Sequence, residues 1–228
     1  MKKLIALAAA LAVVGSACST PEETDDRPLI IATTTILGDI VASSTGEMVR
    51  VEVLMPVGAD PHEFSPSARQ AARLRDAALV VANGLGLEEG LLDVIEAAED
   101  DGVAVVKIGE LLDPQPFVVG FDGEDNGHGL DPHVWMDPVR VADAVVLIAD
   151  RLNSVAGVDV SPSAAAYRTQ VLEMHDEIAG LIGGVPPEDR RMVTNHFSYG
   201  YYADRYGLTL LGTVIPAATT GSETSAAD

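Results

Sequence analysis

Short runs of apolar and β-branched residues recur along this chain, each followed by a helix-forming stretch, and that alternation restricts it to an α/β architecture. Leu29 to Thr35 (LIIATTT) is the first run. It has no polar face, as expected of a strand covered on both sides. Ile36 to Gly46 follows with helical spacing and ends on a glycine suited to a helix C-terminus. Val49 to Pro56 predicts a second strand, running straight into the loop VGADPHEFSP. Ser65 or Ser67 can cap the next helix, with Pro66 near its first turn. Leu79 to Ala82 predicts a third strand, Leu87 to Asp100 a helix and Val103 to Ile108 a fourth strand. Strands and helices alternating at this spacing argue for a parallel sheet of βα units. Ligands of such sheets gather beyond the carboxyl ends of the strands, where the VGADPHEFSP loop lies.

Residues 113 to 131 (DPQPFVVGFDGEDNGHGLD) break the rhythm with Pro, Gly and acid, and predict a long surface loop. Pro138 to Ala156 is a helix with Val141, Val145, Ile148 and Leu152 on one side. A longer helix from about Ser163 to Gly183 spaces Tyr167, Val171, Met174, Ile178 and Leu181 three or four apart. GGVPPEDR ends it, and a new strand-helix-strand pattern begins. The layout is an N-terminal α/β lobe over 29–160, a linking helix over 161–185 and the start of a second α/β lobe over 186–228. That second lobe is too short to bury a core of its own, so an incomplete C-terminal lobe is expected.

The first residues carry Lys2 and Lys3, an apolar run from Leu4 to Val14, then Gly15, Ser16 and Ala17 before Cys18. A charged start, a short apolar stretch and small residues before a cut describe a secretory signal over 1–17. Cys18 is the only cysteine, which excludes an intrachain disulfide. Its place at the junction resembles a bacterial lipobox, although Gly15 stands where such boxes usually have Leu. Residues 18–28 are polar and acidic, and predict a lipidated cysteine followed by a flexible tether. No later segment is long and apolar enough for a transmembrane helix. The formal charge is −21, and loss of a leader carrying Lys2 and Lys3 makes it two units more negative. Nucleic acid and anionic membrane surfaces are therefore poor partners, and a cationic ligand suits the field.

Three of the five histidines sit in segments rich in Pro, Gly and Asp, far apart in sequence. Neutral imidazole is the commonest protein ligand for divalent first-row metals, so His62, His133 and His196 are the candidate metal ligands. Each has a plainer explanation by itself. His62 in GADPHEFSP is equally an exposed loop histidine. His133 precedes Trp135, which reads as a packing wall, and Asp137, which reads as a helix cap. His196 in VTNHFSYGYY is equally a packed core residue.

Together the motifs go further. The order of signal, cysteine, acidic tether, TTTILGDI, GADPHEFSPS, HVWMDP and NHFSYGYYADRYGL resembles the metal-binding lipoproteins of ABC importers for zinc and manganese. The resemblance covers nearly all of 29–216. It implies two α/β lobes joined by one long rigid helix, with the ion in the cleft between them and only a small closure. It places His62 and His133 as ligands from the first lobe and His196 as the first ligand from the second. Manganese members usually offer a carboxylate at that third position, so His196 tilts the expectation to Zn2+, with Mn2+ the alternative. The family's fourth, carboxylate ligand comes from later in the second lobe, and nothing in this chain matches it. The loop holding His128, Asp122, Glu124, Asp125 and Asp131 is read as solvated first and as an auxiliary metal collector second.

The resemblance implies an extracytoplasmic receptor, anchored by lipid, that captures zinc and delivers it to a membrane permease. A monomer is expected. Two other classes compete. A zinc hydrolase would use Glu63 or Glu223 as base, but no HExxH-type helix pairs ligands with a base, so no enzyme is expected. A metal-binding surface adhesin would need the same ligands without transport.

Overall fold

The computed structural model describes residues 25–117 and 129–214. The leader with Cys18, the loop positions Asp122, Glu124, Asp125 and His128, and Glu223 lie outside the described residues. Four short parallel strands, β1 (Leu29–Ala32), β2 (Arg50–Val53), β3 (Leu79–Ala82) and β4 (Val105–Lys107), form one sheet in the order β2-β1-β3-β4. Helices α1 (Thr35–Thr45), α2 (Ala68–Arg73) and α3 (Leu92–Asp100) make the crossovers. Then come α4 (Pro138–Ala156) and the long α5 (Ser161–Gly183). A second parallel pair, β5 (Arg191–Thr194) and β6 (Thr209–Thr213), encloses α6 (Gly200–Tyr206). Two parallel sheets with flanking helices and a long intervening helix is the architecture expected.

The period of two along the strands divides the core. Ile30, Ala32, Leu79 and Val81 face α1, α4 and the start of α5, packing against Leu37, Val41, Val145, Ile148 and Leu152. Leu29, Ile31, Val80 and Ala82 point to the other face and meet Leu74, Leu91, Ile95 and Ala98. All eight strand residues are buried, which explains why the runs carry no polar alternation.

Several boundaries differ from the sequence expectation. β1 ends at Ala32 rather than Thr35, because the Thr34 hydroxyl accepts the Leu37 N–H at 3.2 Å and starts α1. Ser67 caps α2 in a reciprocal capping box with Gln70. The helix expected from Leu87 begins only at Leu92, after a single 3-10 turn at Glu89–Leu91. Gly84, Leu85 and Gly86 all have positive φ, and the Glu88 carboxylate turns inward to accept the backbone N–H groups of Asn83 (2.7 Å) and Gly84 (3.0 Å). α4 matches its expected span. Asp137 caps it through the Val139 N–H at 3.0 Å, Pro138 opens it, and Gly157 at φ 64° closes it.

The apolar stripe along α5 is buried over only part of its length. Val171 is covered, whereas Met174 and Leu181 are 47% and 69% exposed. α1 and α4 pack along the first half of the helix, and Ser163 donates its hydroxyl proton to the Ser44 carbonyl at 2.7 Å. Among the described residues no helix is long and apolar enough to cross a membrane.

Candidate metal centre

His62 stands in the loop that leaves β2. Asp60 Oδ1 accepts the His62 backbone N–H at 2.9 Å, and the Phe64 N–H returns to the Asp60 carbonyl at 3.0 Å, closing a turn. The loop rests on Gly90, where a methyl group would collide with the Phe64 carbonyl. His133 comes from the segment entering α4. Here Asp131 Oδ1 accepts the His133 N–H at 2.9 Å and also contacts its ring Nδ1 at 2.7 Å. The carboxylate has no proton to give, so Nδ1 donates and the lone pair lies on Nε2. His196 sits between β5 and α6, its carbonyl accepting from the Thr194 hydroxyl (2.8 Å) and the Ser198 N–H (2.9 Å).

Three loops, each beyond the carboxyl end of a strand or at a helix entry, bring the three rings together. Ring centroids are 5.6 Å apart for His62–His133, 5.4 Å for His133–His196 and 6.3 Å for His62–His196. One ligand atom from each lies within 4.8 Å of the others. Zn–N bonds near 2.1 Å in a tetrahedron place nitrogens roughly 3.4 Å apart, so a modest contraction of the three side chains completes three corners of such a site.

The atoms are primed for a cation. His133 Nε2 and His196 Nδ1 are buried and have no hydrogen-bond partner among the described residues. Buried polar atoms are ordinarily paired, and two unpaired ring nitrogens within a cluster of three imidazoles fit a divalent ion. Burial, then the neighbouring imidazoles, lower the pKa of both His62 and His196, with nearby carboxylates opposing. Both rings are thereby held in the neutral, ligating form. They open on a cavity of about 430 Å³ that Ile36, Asp60, Trp135 and Tyr199 also line. Trp135 is the wall expected of it, 5.3 Å from the His133 ring.

Asp131 was expected as one of several solvated loop acids and is instead buried, because both arms of the loop pair across it. Pro116 and Leu130 form an antiparallel bridge, and the Asp131 N–H donates to the Gln115 carbonyl at 2.8 Å. A signal for this role is present in the sequence: Asp60-Pro61-His62 and Asp131-Pro132-His133 are the same tripeptide. In both, the aspartate accepts its histidine's backbone N–H. Glu63, the candidate base of a hydrolase, is exposed.

The family model of the zinc-uptake complex component A, periplasmic, matches residues 30–228. The manganese-binding lipoprotein MntA of Halalkalibacterium halodurans is 29% identical over 209 residues, covering 89% of this chain and 67% of that protein. The zinc-binding lipoprotein AdcA of Streptococcus pneumoniae is 29% identical over 222 residues, covering 91% of this chain and 43% of that protein. Among solved structures, the periplasmic zinc-binding protein TroA from Treponema pallidum superimposes with a TM-score of 0.75 at 26% identity, over 88% of this chain and 71% of that one. This chain thus spans about two thirds of MntA and less than half of AdcA. With the match running from the first strand onward, the chain belongs to the zinc-uptake complex component A family.

Proposed function

We propose that this protein is the extracytoplasmic receptor of an ABC importer, capturing Zn2+ between its two lobes and presenting it to a membrane permease. The observation that carries the reading is the convergence of His62, His133 and His196 from three separate loops, with two of the ring nitrogens buried and without a hydrogen-bond partner among the described residues. His62 and His133 would hold the ion from the lobe 29–160 and His196 from the lobe beginning at 186. A set of three neutral imidazoles suits the borderline softness of zinc better than manganese, which takes more oxygen ligands. Relatives named as lipoproteins support anchoring through Cys18 after removal of residues 1–17. A monomer suffices, since all three ligands come from one chain.

Titration of the purified full chain with Zn2+ tests the reading. Submicromolar binding that falls to micromolar or weaker in each of His62→Ala, His133→Ala and His196→Ala is the expected result. Affinity no tighter than micromolar, or unaffected by all three changes, refutes it. Manganese is the second reading, favoured by the similarity to MntA. It wins if Mn2+ displaces Zn2+ in direct competition.

A further inference from the structure

Tyr201 lies on α6, five residues beyond His196, yet it is buried in the core cluster of the first lobe that also holds Val134 and Ile148. Its hydroxyl accepts the Gln115 N–H at 3.0 Å and meets the Asp131 carbonyl oxygen at 2.8 Å. An amide can only donate and a carbonyl can only accept, so the phenol must give its proton to Asp131. Burial raises the Tyr201 pKa, which keeps that proton in place. The Arg140 guanidinium stacks 4.9 Å from the ring centroid and fixes its tilt.

The residue it grips is the one that aims His133. Asp131 uses its N–H on Gln115, its carbonyl on Tyr201 and its Oδ1 on the His133 backbone and ring. Its remaining oxygen, Oδ2, lies where a side chain at Gly200 would come within 2.8 Å. Two successive α6 residues, Gly200 and Tyr201, therefore seat the helix on Asp131. The same helix carries His196 on its leading loop.

We propose that Tyr201 is a positioning residue that sets the separation of His133 from His196, coupling the ligands of the two lobes through Asp131. The proposal rests on the metal-binding reading of the three histidines. Ligand geometry tolerates errors of only about half an ångström, and these two rings come from different lobes with no covalent path shorter than the whole of α4 and α5. The hydroxyl bridge replaces that path with a direct one.

The test is zinc competition against a chromophoric chelator, using the full chain, wild type and Tyr201→Phe, each with and without His196→Ala. Tyr201→Phe keeps the buried ring and removes only the bridge. The expected result is about tenfold weaker zinc binding from Tyr201→Phe in the wild-type background and no further loss in the His196→Ala background. Gly200→Ala, which pushes against Asp131 Oδ2, should weaken binding in the same His196-dependent way. The positioning role is overturned if wild-type and Tyr201→Phe chains bind alike, or if Tyr201→Phe weakens the His196→Ala protein by the same factor. A wild-type chain that leaves all zinc with the chelator overturns the metal reading itself, and the positioning role with it.

Discussion

Asp137 at the head of α4 holds Arg205 of α6 through both carboxylate oxygens, at 2.9 and 2.6 Å, while the same carboxylate caps its own helix. The carboxylate is almost wholly buried and the guanidinium about two-thirds buried. A planar, bidentate pair of this kind fixes orientation as well as distance.

Arg205→Ala should therefore destabilise the protein by about 2 kcal/mol, somewhat below the range for a fully buried pair because the arginine reaches solvent. Arg140, whose Nε is 3.7 Å from Asp137, offers partial compensation. Urea denaturation of the two proteins checks the difference. Arg205→Lys should recover only part of it, since an ammonium cannot make the fork.

Acid should weaken zinc binding as protons compete for the rings, and His62 and His196 should take theirs up only below the ordinary imidazole value of 6.5. The sign follows from the lowered pKa of His62 and His196. In the unfolded chain these rings take up protons near 6.5, but in the folded protein only at lower pH. Their contribution to folding stability is thus complete above 6.5 and is lost as pH falls from there through the lowered folded values. Imidazole NMR titrations of His62 and His196 in the metal-free protein between pH 5 and 8 test this; midpoints at or above 6.5 contradict it.

Glu88 should make the opposite contribution. Burial raises its pKa although the Thr33 hydroxyl (2.6 Å) and two backbone N–H groups all donate to it. The folded state therefore holds the proton more tightly than the unfolded one, and stability declines as pH rises from the ordinary glutamate value through the raised one. Glu88→Gln should abolish that slope. It should also cost about 1–3 kcal/mol, because either orientation of the amide sets an NH2 group against at least one backbone donor. Denaturation midpoints measured across the acid range for both proteins give the comparison.

Gly90→Ala should damage the candidate site from outside it. The added methyl meets the Phe64 carbonyl, which belongs to the backbone and cannot swing aside. The shift must pass into the turn that Asp60 closes around His62. Zinc binding should weaken by about tenfold, with a stability loss of about 1–3 kcal/mol typical of overpacking. Unchanged binding would show that the loop adjusts elsewhere.

The parts of the fold written in local chemistry were legible from the sequence. α4 was placed from end to end because Asp137, Pro138 and Gly157 each act on their own helix. β3 was placed likewise, since Leu79 to Ala82 is an apolar run with no polar face, as fits a doubly covered strand. Two of the errors share a long-range cause. Glu88 looked like a helical glutamate and is turned inward by Thr33, 55 residues earlier. Asp131 looked like one loop acid among several, and its burial depends on Gln115 and on Tyr201 seventy residues later. The stripe on α5 correctly marked a face, but spacing cannot say how far along that face a neighbour extends. The three histidines were singled out by residue type and context, whereas their convergence needed the fold.

The uneven covering of α5 makes one continuous helix into two mechanical segments. Ala164 and Val171 are its buried residues, and none beyond Val171 is buried. Past that point His175 meets the Tyr206 hydroxyl at 3.0 Å. Backbone amides up to Val171 should exchange with solvent deuterium only when the first lobe opens as a unit, whereas those beyond it should exchange through local fraying at lower free energy. The helix is thus clamped to the first lobe along its first half, while Tyr201 and Arg205 of α6 tie the β5-β6 unit to that lobe by a second route.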